Sequence, residues 1–184
     1  MNNIKNIVIV GDSTVGKTCL LFAYTNKGGF NSLYEPTIYE KEESELVLDG
    51  QRYFIKLHDT AGQEDFDRLR LVIYKDTDVF ILCYSMDNRT SFENIYSKWY
   101  PELSPYNKPI ILVGTKSDIQ GTNTIKVDEA EILKRKIRAS ALLMCSAKDY
   151  HNINEVIYTA VRAINQEIPP EEDESGIFSC CKCF

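Results

Sequence analysis

Short apolar runs alternate along this chain with segments in which apolar residues return every three or four positions. Runs that short, bounded by Gly, Asp, Asn and Pro, predict strands, while the longer period predicts amphipathic helices. Strands are expected at residues 6–10, 41–48, 51–58, 79–84, 110–114 and 142–145. Helices are expected from 16 to about 26, 91 to about 103, 128 to about 138 and 153 to about 167. Ile153, Val156, Ile157, Ala160, Val161 and Ile164 fall on one helical face. Thr90 with Glu93, and Asn152 with Glu155, have capping-box spacing at two helix starts. Asp49-Gly50 is a hairpin signal, so one antiparallel pair joins an otherwise parallel sheet. No repeat of 20 to 50 residues is visible. Pro169-Pro170 ends the pattern and the acidic run EEDES follows. The organisation expected is one folded domain over 1–168 and a solvated tail over 169–184.

Strands alternating with helices predict a three-layer α/β sandwich, in which ligands bind beyond the carboxyl ends of the strands. Composition narrows this. At 184 residues one domain buries roughly 70% of its unfolded surface. Hydrophobic residues at 43% and charged residues at 26% argue against disordered and fibrous classes. A net charge of -6 gives no general attraction to nucleic acid. The N-terminal apolar run is too short for a secretory signal and nothing approaches the ~20 apolar residues of a membrane span, so the body is expected in the cytosol. Cys19, Cys83 and Cys145 sit in apolar segments and read as reduced core thiols, while Cys180, Cys181 and Cys183 crowd the end of the tail.

Four loops at strand ends carry chemistry. In GDSTVGKT, Gly11, Gly16, Lys17 and Thr18 satisfy G-x-x-x-x-G-K-[ST]. Such glycines turn backbone N–H groups around phosphate oxygens at a helix N-terminus, where Lys17 would reach the β- and γ-phosphates and Thr18 would ligate Mg²⁺. Asp12, Ser13, Thr14, Val15 and Cys19 belong to the same candidate nucleotide contact, with Ser13 and Thr14 where the terminal phosphate would lie. In DTAGQE, Asp59 can hold Mg²⁺ through a water, Gly62 lets its N–H approach a γ-phosphate, and Gln63 can orient an attacking water. In GTKSD, the Asp118 carboxylate can accept both guanine N1–H and N2–H, a pair that adenine lacks. Lys116 would lie along the base plane, after Thr115. In CSAK, Ser146 can brace that aspartate and the Ala147 N–H can meet guanine O6, with Lys148 beside them. Each tetrapeptide alone is weak; all four in order at strand ends are specific.

With these motifs the chain resembles a Ras-superfamily small GTPase over residues 3 to about 167. GKTCLL, YEPTIYE, DTAGQEDFDRLR, SFENIYSKWYPEL and GTKSD are similar to the Rho/Rac family. The resemblance implies the P-loop GTPase fold, a six-stranded sheet with one antiparallel strand and about five helices, binding GTP and GDP with Mg²⁺. It implies that Phe30 packs against the guanosine, that Tyr34 closes over the phosphates, and that Thr37 ligates Mg²⁺ only when the γ-phosphate is present. Loss of the γ-phosphate would then release the 34–40 loop and the 62–70 segment, so that effector surfaces exist in the GTP state. Gln63, Lys17 and Thr37 are the expected catalytic residues. Exchange factors, GTPase-activating proteins, a dissociation inhibitor and effectors of Rho type are the implied partners of a monomeric protein, with cytoskeletal signalling as the implied process.

The chain departs from the Rho pattern in five places. Ser13 stands where the family usually has glycine, crowding the glutamine and any arginine supplied in trans, a contribution worth ~10³ to 10⁵ in rate. Only about 28 residues separate Asp118 from the SAK loop, so the insert helix of Rho proteins is missing. Tyr39, Lys41 and Glu42 make the effector edge more charged. His58 replaces an aromatic that exchange factors inspect, and reads as a plain strand-end surface residue. The tail lacks a basic cluster. CKCF has C-a-a-X form at Cys181, and its terminal Phe favours geranylgeranyl. One lipid anchors marginally, which makes Cys180 a candidate for palmitoylation. The location expected is the cytoplasmic face of the plasma membrane, with a cytosolic pool.

The leading expectation is a GTP hydrolase acting as a switch. An alternative is a GTP-bound scaffold that hardly hydrolyses because of Ser13. A P-loop ATPase or small-molecule kinase is opposed by Asp118.

Overall fold

Alternation at period two sends neighbouring strand side chains to opposite faces, and in the runs at 7–10, 79–84 and 110–113 both faces are apolar and buried. The computed structural model describes residues 4–26, 39–60 and 67–165. In chain order the elements are β1 (Ile4–Gly11), α1 (Lys17–Thr25), β2 (Tyr39–Leu48), β3 (Gln51–Thr60), α2 (Asp67–Tyr74), β4 (Val79–Ser85) and α3 (Arg89–Asn94). Then come a π-helical turn (Ile95–Trp99), α4 (Tyr100–Leu103), a 3-10 turn (Ser104–Tyr106), β5 (Ile110–Thr115), α5 (Val127–Lys136), β6 (Ala141–Met144) and α6 (Ile153–Ile164).

The strands form one sheet in the order β2-β3-β1-β4-β5-β6. β1 pairs parallel with β3 and β4, β5 lies parallel between β4 and β6, and β2 runs antiparallel to β3. The β2–β3 hairpin turns through Asp49 and Gly50, at φ 51° and 78°, as the Asp-Gly signal requires. Every residue of β4 and β5 is buried, the burial expected of parallel strands covered by helices on both sides. Ile7, Ile9, Ile81 and Cys83 pack with α1 and the predicted apolar face of α6, of which Ile164 is half-buried. Val8, Val10, Phe80 and Leu82 pack with Tyr74 of α2, with Ile95, Trp99 and Leu103, and with α5. The result is the three-layer α/β fold, mostly parallel with one antiparallel strand. Counting α3 to α4 as one continuous run, it has five helices among the described residues.

Several local expectations are corrected. Helix α3 is capped by Asn88, whose side chain accepts from the Ser91 N–H at 3.1 Å, not by Thr90. Asn152 precedes α6 in the left-handed region and gives no side-chain cap; its amide instead donates to the Met144 carbonyl at 2.9 Å. Helix α2 carries no sequence signal because its pattern is inverted. Arg70 is 1% exposed, whereas Leu71 and Val72 are 43% and 64% exposed. That helix also overturns the reading of His58 as a surface residue. His58 is 8% exposed, in a groove that Val72 and Ile73 of α2 line, with its Nε2 3.3 Å from Asn6 Oδ1. The last turn expected for α6 and the tail lie outside the described residues.

Candidate functional site

The loop between β1 and α1 starts where β1 leaves the sheet beside β4. A Cβ on Gly11 would lie 2.2 Å from the Cys83 carbonyl oxygen, and Gly11 has φ +140°, so only glycine fits. Thr14 has φ 64° and Gly16 φ 98°. Left-handed residues at these points turn the loop back on itself, the backbone arrangement of an anion-binding concavity. Thr14 is exposed and Ser13 half-buried. Val15 is buried, and the Thr115 hydroxyl donates to its carbonyl at 2.5 Å, tying the loop to the end of β5.

Lys17, 6% exposed, donates through Nζ to the carbonyls of Gly11 and Asp12 at 2.8 and 2.7 Å. Burial lowers its pKa below the ordinary lysine value, against the opposing pull of Asp59 and Asp12. The Thr18 hydroxyl donates to Asp59 Oδ2 at 2.5 Å, and Asp59, opposite Ile9 in register, is fully buried. Thr60 Oγ1 donates to the Ile9 carbonyl at 2.7 Å and closes the seam between the ends of β1 and β3. Thr18 and Asp59 are thus two hard oxygen donors side by side, the donor chemistry that magnesium takes.

The loops after β5 and β6 meet in the same way. Ser146, 1% exposed, donates from Oγ to Asp118 Oδ1 at 2.7 Å and accepts the Asp149 N–H at 3.1 Å. Lys148 Nζ stands 3.8 Å from Asp118 Oδ2, whose side chain is 12% exposed. Lys116 takes φ 56° and reaches Asp87 at 3.8 Å. A cavity of about 320 Å³ is lined by Gly16, Cys19, Leu20, Thr115, Lys116 and Asp118, and by Ile119, Cys145, Ala147 and Lys148. Cys83 and Cys145 are buried thiols as expected, and burial pushes Cys145 up to about 12. Cys19 is not a core thiol: it is half-exposed because it lines this cavity.

Phe30, Tyr34, Thr37, Gly62, Gln63, Cys180 and Cys181 lie outside the described residues. Two residues to which the motif SFENIYSKWYPEL gave no role grip the site from the side. Asn94 Nδ2 donates to Asp12 Oδ2 at 2.7 Å, and Trp99 Nε1 donates to Asp12 Oδ1 at 2.8 Å. Asp12 therefore offers Lys17 its carbonyl, while its carboxylate is held by the helical run. The available signal was Pro101, a helix interior position that forces an irregular turn just before it.

The loops after β1, β5 and β6, with the carboxyl end of β3, thus build two ends of one candidate site, Lys17 with Thr18 and Asp59 at one and Asp118 with Ser146 at the other. A family model described as Ras family matches residues 6–166. The Drosophila melanogaster "Ras-like GTP-binding protein RhoL" is 43% identical over 166 residues, covering 88% of this chain and 87% of that protein. The Homo sapiens "Rho-related GTP-binding protein RhoB" is 38% identical over 192 residues, covering 97% of this chain and 96% of that protein. On the match across both ends of the site, the chain belongs to the Ras family, as a Rho-like small GTPase.

Proposed function

We propose that the chain is a GTP/GDP switch that hydrolyses GTP to GDP and phosphate and engages Rho-type effectors in the GTP state. The observation that carries this is the cavity of about 320 Å³ shared by Gly16 and Cys19, next to the phosphate loop, and by Asp118 and Ala147. One ligand lying along it meets phosphate donors at one end and a guanine-selecting carboxylate at the other. The Ser146 hydroxyl fixes which Asp118 oxygen is left toward the base. Lys17 exchanges the Gly11 and Asp12 carbonyls for phosphate oxygens, whose charge offsets the desolvation that lowers its pKa. Thr18 and Asp59 are the described residues that would hold Mg²⁺, Asp59 through a water, and Thr37 would join them in the GTP state. The ion supplies charge neutralisation on the transferring phosphoryl group. Gln63 orients the attacking water, so catalysis rests on placement and electrostatics.

Ser13 sets the pace in this reading: its side chain stands at the γ-phosphate end and slows hydrolysis stimulated in trans. Prenylation at Cys181, with acylation at Cys180, holds the protein at the cytoplasmic face of the plasma membrane. Residues 1–168 act as the switch and 169–184 as the tether, in cytoskeletal signalling with Rho-type regulators. Single-turnover GTP hydrolysis by the native chain, Ser13→Gly and Gln63→Leu, with and without a Rho-type activating protein, tests it. Gln63→Leu is expected to be the slowest and Ser13→Gly the fastest under stimulation. Equal slow rates in the native chain and Gln63→Leu, with a much faster Ser13→Gly, favour the scaffold reading instead.

A further inference from the structure

Asn94 and Trp99 hold the two oxygens of one carboxylate although they are five residues apart. On an α-helix that spacing turns them about 140° away from each other. The π-helical turn Ile95–Trp99 brings i and i+5 onto the same face, so both reach Asp12. Its cause lies just beyond, at Pro101, which has no N–H to give and whose ring crowds the preceding turn. From Trp99 the contacts continue away from the phosphate loop. The Arg70 guanidinium lies over the indole ring, 5.0 Å from its centroid. Arg70 Nε donates to Glu102 Oε1 at 3.1 Å, and the Tyr74 hydroxyl donates to the same oxygen at 2.9 Å. Arg70 and Tyr74 both belong to α2 and are 1% and 0% exposed; Trp99 is 0% exposed.

We infer that Trp99 is a positioning residue that ties the phosphate loop to α2, so that the loop's hold on bound nucleotide and the seat of α2 change together. The inference rests on the guanine-nucleotide switch reading. Charge-assisted bonds in a buried setting are short and directional, and a packed side chain surrounded by them has discrete seats rather than a continuum. A shift of Asp12 pulls the indole Nε1, and the ring cannot move without moving the guanidinium stacked on it. A shift of α2 acts through the same groups in reverse.

Trp99 is the only tryptophan of the chain, so its own emission reports on the coupling. In the full chain with Mg²⁺, exchanging GDP for a non-hydrolysable GTP analogue is expected to shift Trp99 emission, and Glu102→Gln to abolish the shift. With mant-GDP as the probe, Trp99→Phe keeps a ring under Arg70 but removes the donor, and should speed release about tenfold. Glu102→Gln, at the far end of the contacts, and Asn94→Ala, which leaves the buried ion pair intact, should each speed it about threefold. The double variant Trp99→Phe/Glu102→Gln should release no faster than Trp99→Phe alone. Thermal unfolding of each variant with GDP bound separates loss of fold from loss of coupling. Native release rates in both Glu102→Gln and Asn94→Ala, effects that multiply in the double variant, or identical Trp99 emission in the two nucleotide forms overturn the inference alone. A native chain that does not retain mant-GDP overturns the switch reading and this inference with it.

Discussion

Replacing Asp118 by asparagine tests the proposed base-recognition end with almost no change of shape. Asp118 is 12% exposed, so solvent screens its charge weakly, and one oxygen already accepts Ser146 Oγ at 2.7 Å. Ser146 retains an acceptor if the introduced amide oxygen takes that place, and the new NH₂ then occupies the position of Oδ2, where guanine presents donors. The charge-assisted bond to guanine, about 1.5–3 kcal/mol, is lost, and a desolvated donor facing a donor adds about 1–3 kcal/mol. Loss of the ion pair to Lys148, which is 66% exposed, adds little. The total of roughly 3–6 kcal/mol corresponds to a GDP affinity lower by about 10² to 10⁴. Xanthine carries an acceptor where guanine carries the N2 donor, so XDP should bind the variant better than GDP does. Equilibrium displacement of mant-GDP by GDP and XDP, in the native chain and in Asp118→Asn, measures both numbers. A variant that keeps native GDP affinity, or gains nothing for XDP, refutes the assignment of this carboxylate to the base.

Gly11→Ala should destabilise the fold by about 3–5 kcal/mol in urea unfolding, since its Cβ would sit 2.2 Å from a backbone oxygen of β4 at φ +140°; a loss under about 1 kcal/mol contradicts the geometry. His58 should make the protein acid-sensitive. Burial, then Lys41 and Lys56, lower its pKa below 6.5, so the folded state resists the proton that the unfolded state takes up. The stability that follows from keeping His58 neutral is present above pH 6.5 and falls as pH drops toward the folded-state pKa. The melting-temperature difference between the native chain and His58→Gln should therefore be constant above pH 6.5 and move against the native chain below it; parallel curves throughout contradict this.

The sequence alone determined the sheet, the hairpin and the face of α6, because those depend on local period and on turn residues whose φ is set within the dipeptide. It also located Lys17, Asp59, Asp118 and Ser146 at the ends of strands, because the motifs that hold them follow directly on apolar runs. Tertiary structure decided what periodicity cannot express. The seat of α2 is held by buried Arg70 on Glu102, a charged inward position that reads in sequence as solvent-facing. His58 is buried in a groove that it shares with Val72 and Ile73 of that helix, and Cys19 is half-exposed where it lines the cavity. The grip of Asn94 and Trp99 on Asp12 spans more than eighty positions and needs a π turn to exist at all, so its physical cause appears only once the chain has folded.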